Sequence, residues 1–211
     1  MNSEVLEMKK RSLVPLYLIL LSCIIPLVAA ALLYYVPDLR PAGATNYGSF
    51  VIPQRMMPAS ARLPLSTLDG KPFDLNSLKG RWVLVSTDGG ACPDSCATKL
   101  HYTRNAHASQ GKNVERLVRV WFVTDNEAIP QKVLDAYKGT LMLRADPLAL
   151  GAFLLGPDVL ADAAALEQEM DKYLWIIDPL GNLIMYYPGQ ETDPVRFRND
   201  IAKLLHVSVI G

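Results

Sequence analysis

Metal-ligating side chains are scarce in this chain: three cysteines and three histidines in 211 residues. A four-ligand structural zinc site is excluded, because no second cysteine pair exists to complete it. Charge of one sign is missing as well, since 21 Lys and Arg balance 21 Asp and Glu. No basic cluster occurs outside the first residues, so nothing points to a nucleic-acid partner.

The one long apolar run lies at the start. Leu13 to Val36 holds 24 residues and no charge. As a helix it spans about 36 Å, enough for the ~30 Å hydrocarbon core of a bilayer. Lys9, Lys10 and Arg11 precede it, and only Arg40 and Arg55 follow within the next 20 residues. The positive-inside rule then puts residues 1–12 in the cytoplasm and the rest outside. Tyr34 and Tyr35 suit the outer headgroup level, and Pro15 and Pro26 are tolerable in a membrane helix. A cleaved signal peptide is the rival, because Ala29-Ala30-Ala31 is a small-residue patch. The apolar run continues past it, which favours a retained anchor. Cys23 falls inside this run and reads as a small apolar filler.

Residues 37–62 read as a tether, broken by Pro37, Pro41, Pro53, Pro58, Gly43 and Gly48. Met56-Met57 within it is either packed against the domain or a soft-metal pair. The remaining residues, 63–211, suit one domain. Leu68–Phe73 reads as a hairpin turn. Strands are expected at Trp82–Val85, Val118–Val123, Leu141–Leu143, Leu174–Ile177 and Leu183–Tyr186. Helices are expected over residues 94–109, 130–138, 146–155, 158–170 and 194–206. Strand and helix alternate before a closing hairpin, which predicts a mixed sheet with helices on both faces.

Cys92-Pro93-Asp94-Ser95-Cys96 falls after the first core strand and the Gly89-Gly90 turn, at the start of a helix. Open α/β sheets place their sites there. Positions i and i+4 share a helix face, and a thiol at a helix N-terminus is favoured as thiolate. The pair can close a disulfide or clamp a soft, low-coordination ion such as Cu(I). In the oxidising compartment that this topology implies, unprotected thiols become disulfides unless a reductase or a metal intervenes. The histidines offer little. His101 points about 140° away from Cys96, His107 lies about 16 Å along the axis, and His206 has no path to the pair. Asp88 and Asp94 either tune the thiols or are solvated loop carboxylates.

In order along the chain stand an anchor, Leu68-Asp69-Gly70-Lys71, Leu78-Lys79-Gly80-Arg81-Trp82-Val83-Leu84-Val85 and the CPDSC unit. Val120-Trp121-Phe122-Val123-Thr124-Asp125 and Trp175-Ile176-Ile177-Asp178-Pro179-Leu180-Gly181-Asn182 follow. Together they make residues 63–188 resemble the Sco/SenC family, membrane-anchored thioredoxin-like proteins that help build the copper centre of cytochrome c oxidase. The resemblance implies an α/β fold: a thioredoxin-like mixed central sheet flanked by helices, preceded by one transmembrane helix. It implies Cys92 and Cys96 as thiolate ligands of Cu(I), and a cytochrome c oxidase subunit or another copper-site client as partner. It implies a bacterial inner membrane with the domain in the periplasm, ahead of a mitochondrial inner membrane.

The departures are specific. Sco-like proteins carry a third-ligand histidine eight residues before the Asp-Pro of the late turn, and here that position is Met170. Ala97 stands where a proline commonly follows the second cysteine, and Ala91 where a histidine is frequent. Met170 is either a thioether ligand selective for Cu(I) or a flexible gap-filler. Its neighbours Glu169 and Asp171 are hard carboxylates that suit Cu(I) badly.

Three functions stay open. The first is a copper chaperone, which is not an enzyme. The second is a thiol–disulfide oxidoreductase that keeps a client's copper-ligand cysteines reduced, with Cys92 attacking and Cys96 resolving. Against it, three residues separate the thiols where thioredoxins have two, and no proline stands just before Leu174. The third is a docking module with inert cysteines. A peroxidase is disfavoured, since no Pro-x-x-x-Thr-x-x-Cys run occurs.

Overall fold

The computed structural model of the chain describes residues 13–36, 39, 46–157, 162–208 and 210. The expected cytoplasmic tail, residues 37, 38 and 40–45 of the expected tether and residues 158–161 of the expected Ala-rich helix lie outside the described residues. The chain divides into two compact units, Met1–Thr45 and Asn46–Gly211.

In the first unit, α1 (Val14–Tyr35) is a 22-residue helix with no buried residue. Pro15 occupies its first turn, where a missing N–H costs nothing, and Pro26 lies inside it. Its length and a mean hydropathy of 2.7 make it a candidate membrane span. A helix apolar on every side needs an apolar surround.

The second unit is built on one eight-stranded sheet: β1 (Ser49–Met56), β2 (Leu65–Thr67), β3 (Pro72–Phe73), β4 (Trp82–Asp88), β5 (Leu117–Val123), β6 (Thr140–Ala145), β7 (Tyr173–Ile177) and β8 (Asn182–Pro188). Their spatial order is β1-β8-β7-β4-β5-β6-β2-β3. β4, β5 and β6 run parallel, with Val83 opposite Val118 and Val120 opposite Leu141. β7 and β8 form the antiparallel hairpin, and β7 pairs with β4. All seven residues of β4 are buried, as a central strand covered on both faces requires.

Helices α2 (Asp94–Ala108), α3 (Gln131–Ala136), α4 (Pro147–Leu154), α5 (Ala163–Met170) and α6 (Pro194–Val207) cover the two faces. Alternation along the strands sorts the core. Val83, Val85, Val120 and Phe122 pack with Leu150, Leu154, Leu166 and Met170 from α4 and α5. On the other face, Trp82 and Leu84 pack with Ala106 of α2 and Phe197, Ile201 and Leu205 of α6. Trp121 and Val123 share that face with Cys92, Cys96, Leu100 and Val133.

The tether expected over residues 37–62 ends earlier than its Pro and Gly content implied. Residues 49–56 form β1, paired with β8 from Ser49–Tyr186 to Met56–Asn182. β1 is an edge strand, and an edge tolerates Pro53 at the register shift between Phe50 and Arg55. Asp200 of α6 holds the start of this strand, accepting from the Tyr47 and Gly48 N–H groups at 2.5 and 3.3 Å. Met57 is buried in the core while Met56 is exposed, so this methionine pair splits between packing and solvent.

Candidate functional site

β4 ends at Asp88, and the chain turns at once through Gly89 and Gly90. These glycines are required by close approach. A Cβ on Gly89 would collide with the Asp125 carboxylate, and one on Gly90 with the Glu127 carbonyl. Asp125 Oδ1 instead accepts from the Gly90 N–H at 2.8 Å and the Glu127 N–H at 3.0 Å. The loop after β5 is thereby fastened to the cysteine turn.

Cys92 adopts a left-handed backbone, φ 48°, uncommon for a residue with a side chain. Its N–H donates to the Gly89 carbonyl at 3.2 Å. Pro93 is extended and stands at the position just before Asp94, the first residue of α2, as the expected helix start implied. Cys92 and Cys96 are joined by a disulfide with Cα atoms 5.1 Å apart, inside the range such bridges span. Cys92 keeps 9% exposure and Cys96 none. Ala91, Pro93 and Asp94 around Cys92 are exposed. Any partner therefore meets Cys92 first.

Behind Cys96 lies a feature that reading the sequence missed. Lys99, one turn along α2, is fully buried. Its ammonium donates to the Thr87 carbonyl at 2.7 Å and the Asp171 carbonyl at 2.5 Å, and forms an ion pair with the Asp88 carboxylate at 2.7 Å. Its stem runs against Gly189, where a Cβ would crowd it. Asp88 is 3% exposed, which corrects its reading as a solvated carboxylate. Asp94 is exposed, as a solvated carboxylate should be. Burial raises the Asp88 pKa to about 6, with Lys99 opposing. Burial, and then the Asp88 charge, raise Asp171 to about 7, against the pull of Lys99 and the Thr87 hydroxyl. The signal was present in the sequence. Cys96, Lys99, Leu100, Thr103 and Ala106 form one buried stripe of α2, and a lysine on such a stripe needs a buried partner.

Met170 is not brought to the thiols. It is fully buried with Val83, Val85, Val120 and Phe122, whereas the cysteines pack with Trp121 and Val123 on the opposite sheet face. The packing alternative for Met170 accounts for its place, and the thioether-ligand alternative does not. His101 and His206 are exposed, and His107 is half-buried at the far end of α2. Among the described residues no group of three or more His, Cys, Asp or Glu is arranged to hold a metal. The donor set for copper is thus two thiols, without the third ligand that the resemblance implies, and the fit is poor.

Residues 82–208 match the model of the transmembrane-like, thioredoxin-like C-terminal domain family. The chain belongs to this family. No curated protein matches it by sequence. Solved structures share its fold at low identity. Apo Sco1 from Thermus thermophilus is 20% identical, with a TM-score of 0.54 over 78% of this chain and 98% of its own. BsSco, described as a Sco-family cytochrome c oxidase assembly protein with a disulfide switch, is 18% identical, with a TM-score of 0.51 over 72% and 92%. A thiol:disulfide interchange protein from Bacteroides sp. is 16% identical, with a TM-score of 0.51 over 74% and 91%. The expected thioredoxin-like mixed sheet flanked by helices, with an apolar helix before it, is therefore the architecture of this family member.

Proposed function

We propose that this chain is a membrane-anchored thiol–disulfide oxidoreductase that reduces cysteines of a client protein. One observation carries the reading: a Cys92–Cys96 disulfide at the start of α2, in which Cys92 keeps 9% exposure beside exposed Ala91, Pro93 and Asp94 while Cys96 has none. In the reduced protein the Cys92 thiolate, favoured by the helix N-terminus, attacks a client disulfide and expels one client thiolate. The Cys96 thiolate then attacks Cys92 Sγ, closes the internal disulfide and expels the second client thiolate. Two electrons pass to the client, whose thiolates take two protons. A dithiol donor restores the couple.

The client is a protein of cytochrome c oxidase assembly, a proposal that draws on the Sco-like fold and the role given for BsSco. Lys9, Lys10 and Arg11 before α1 support a cytoplasmic N-terminus, a bacterial inner-membrane anchor and a periplasmic domain. Handing over Cu(I) is less well supported, because Met170 lies on the wrong sheet face.

The test uses reduced full-length protein in detergent, carrying Cys23→Ser so that only the couple reacts. It is expected to reduce glutathione disulfide stoichiometrically, with Cys96→Ser trapped as a mixed disulfide and Cys92→Ser inert. No exchange, together with tight one-to-one Cu(I) binding that needs both cysteines, would restore the copper reading.

A further inference from the structure

The far half of α2 meets the sheet at a polar site that the cysteine chemistry does not use. Leu117, Arg119 and Trp121 share one face of β5, as alternation along a strand requires. Leu117 packs with Ala106 of α2 and Trp121 with Leu100, so Arg119 lies between them beneath the helix. It is 7% exposed. The register sets it opposite Thr140, the first residue of β6. Its guanidinium reaches over the turn before that strand. Nη2 donates to the Lys138 carbonyl at 3.0 Å, and a Cβ on Gly139 would stand 3.1 Å from the same nitrogen. Gly139 has φ 81°, so glycine suits this turn on both counts.

Three polar atoms here have no partner in the protein. Arg119 Nε, Arg119 Nη1 and Thr140 Oγ1 are buried without a hydrogen bond. No counter-charge meets the guanidinium either. Burial, and then the like charge of Arg104 on α2, lower the Arg119 pKa. Arg104 itself donates to the Ala136 carbonyl at 2.9 Å. His107, also on α2, is pushed down by burial and then by the Arg119 charge, against hydrogen bonds to the Leu117 and Val114 backbone. The carboxylate of this corner, Asp135, pairs at 3.7 Å with Lys138 at the surface, where both side chains are more than half exposed. Arginine does not escape such a site by losing its proton. A buried cation with unused donors is costly until an anion meets it.

We propose that Arg119 and Thr140 hold a small inorganic anion, of the size of chloride, between α2 and the first residues of β5 and β6. The anion accepts from Arg119 Nε and Nη1 and from the Thr140 hydroxyl. It offsets the positive charge that Arg119 and Arg104 place in this corner. Its size follows from burial, since a guanidinium 7% exposed is out of reach of a nucleotide or a client side chain. The bound anion fastens the far half of the cysteine-bearing helix to the sheet.

The test uses the full-length Cys23→Ser protein in detergent, with the Cys92–Cys96 disulfide closed. Its unfolding temperature is measured as sodium chloride replaces sodium gluconate at constant ionic strength. The temperature is expected to rise about 3–6 °C for each tenfold of chloride above the dissociation constant. Bromide acts in the same way. Arg119→Met loses the response. Thr140→Val, a near-isosteric change, needs about tenfold more chloride, the cost of one hydrogen bond to a charged group. That variant keeps the test open if Arg119→Met does not fold. In a second readout, the parent broadens the chloride-35 resonance, and excess bromide sharpens it again. Equal unfolding temperatures of the parent in chloride and gluconate would show that water alone satisfies these donors, and would overturn the proposal. The same chloride response in parent and Thr140→Val would overturn it too. Neither result touches the oxidoreductase reading, because no thiol takes part.

Discussion

At the residue scale, two side chains divide what the sequence disclosed from what it hid. Cys92 and Cys96 declared themselves by spacing, and a helix start after a buried strand put them where a sheet opens. Lys99 did not, because a lysine in a polar-looking helix reads as solvated until the buried stripe around it is known. Met170 was legible only as a position in a family pattern. Which sheet face it enters depends on the path of the chain from α4 to α5, and no local signal encodes that path. Its burial gives a prediction. Met170→Ala should lower the unfolding free energy by about 2–5 kcal/mol, the usual cost of emptying a buried methionine site. Exchange with glutathione disulfide should stay at the parent rate in conditions where the variant is folded. A variant of parental stability with lost exchange would put Met170 back at the site.

At the scale of elements, the alternation of apolar strand and amphipathic helix made β4 to β8 and α2 to α6 readable. Each carries a periodicity that burial on one or two faces enforces. β1 escaped because Pro53 and the flanking glycine mimic a linker, and because edge strands lack the pattern of a central one. What fixes β1 is distant in sequence. Asp200 on α6 is buried and accepts from Tyr47, Gly48 and the Tyr187 hydroxyl. Asp200→Ala strands those donors, and should cost about 2–3 kcal/mol. Hydrogen exchange should quicken over residues 47–56 while β4 and β5 stay protected. Uniform exchange across the sheet would show that β1 is not held this way.

At the scale of the molecule, the buried acids make stability depend on pH in a definite direction. Asp88 and Asp171 have folded pKa values of about 6 and about 7, above the ~3.9 of an unfolded aspartate. A group raised on folding contributes stability that is complete below its unfolded pKa and is lost as pH rises through the folded one. Their contribution therefore declines from about pH 4 to about pH 8. The denaturation midpoint of the parent should fall between pH 5.5 and pH 8 relative to that of Asp171→Asn, whose curve should be flatter. A parent that gains stability over this window relative to the variant would contradict the shifts. The burial of an ion pair and an extra carboxyl is costly, and such perturbed groups cluster at functional sites.

The central claim is that Cys92–Cys96 is a working couple and not a staple, and its reduction potential tests this most directly. The full-length Cys23→Ser protein, equilibrated in glutathione and dithiothreitol buffers and trapped by alkylation, is expected to titrate as a single two-electron couple. Its midpoint should lie between about −270 and −180 mV, the range of dithiols that exchange with other proteins. A disulfide that resists reduction until below about −300 mV would mark a structural bond, and would contradict the account.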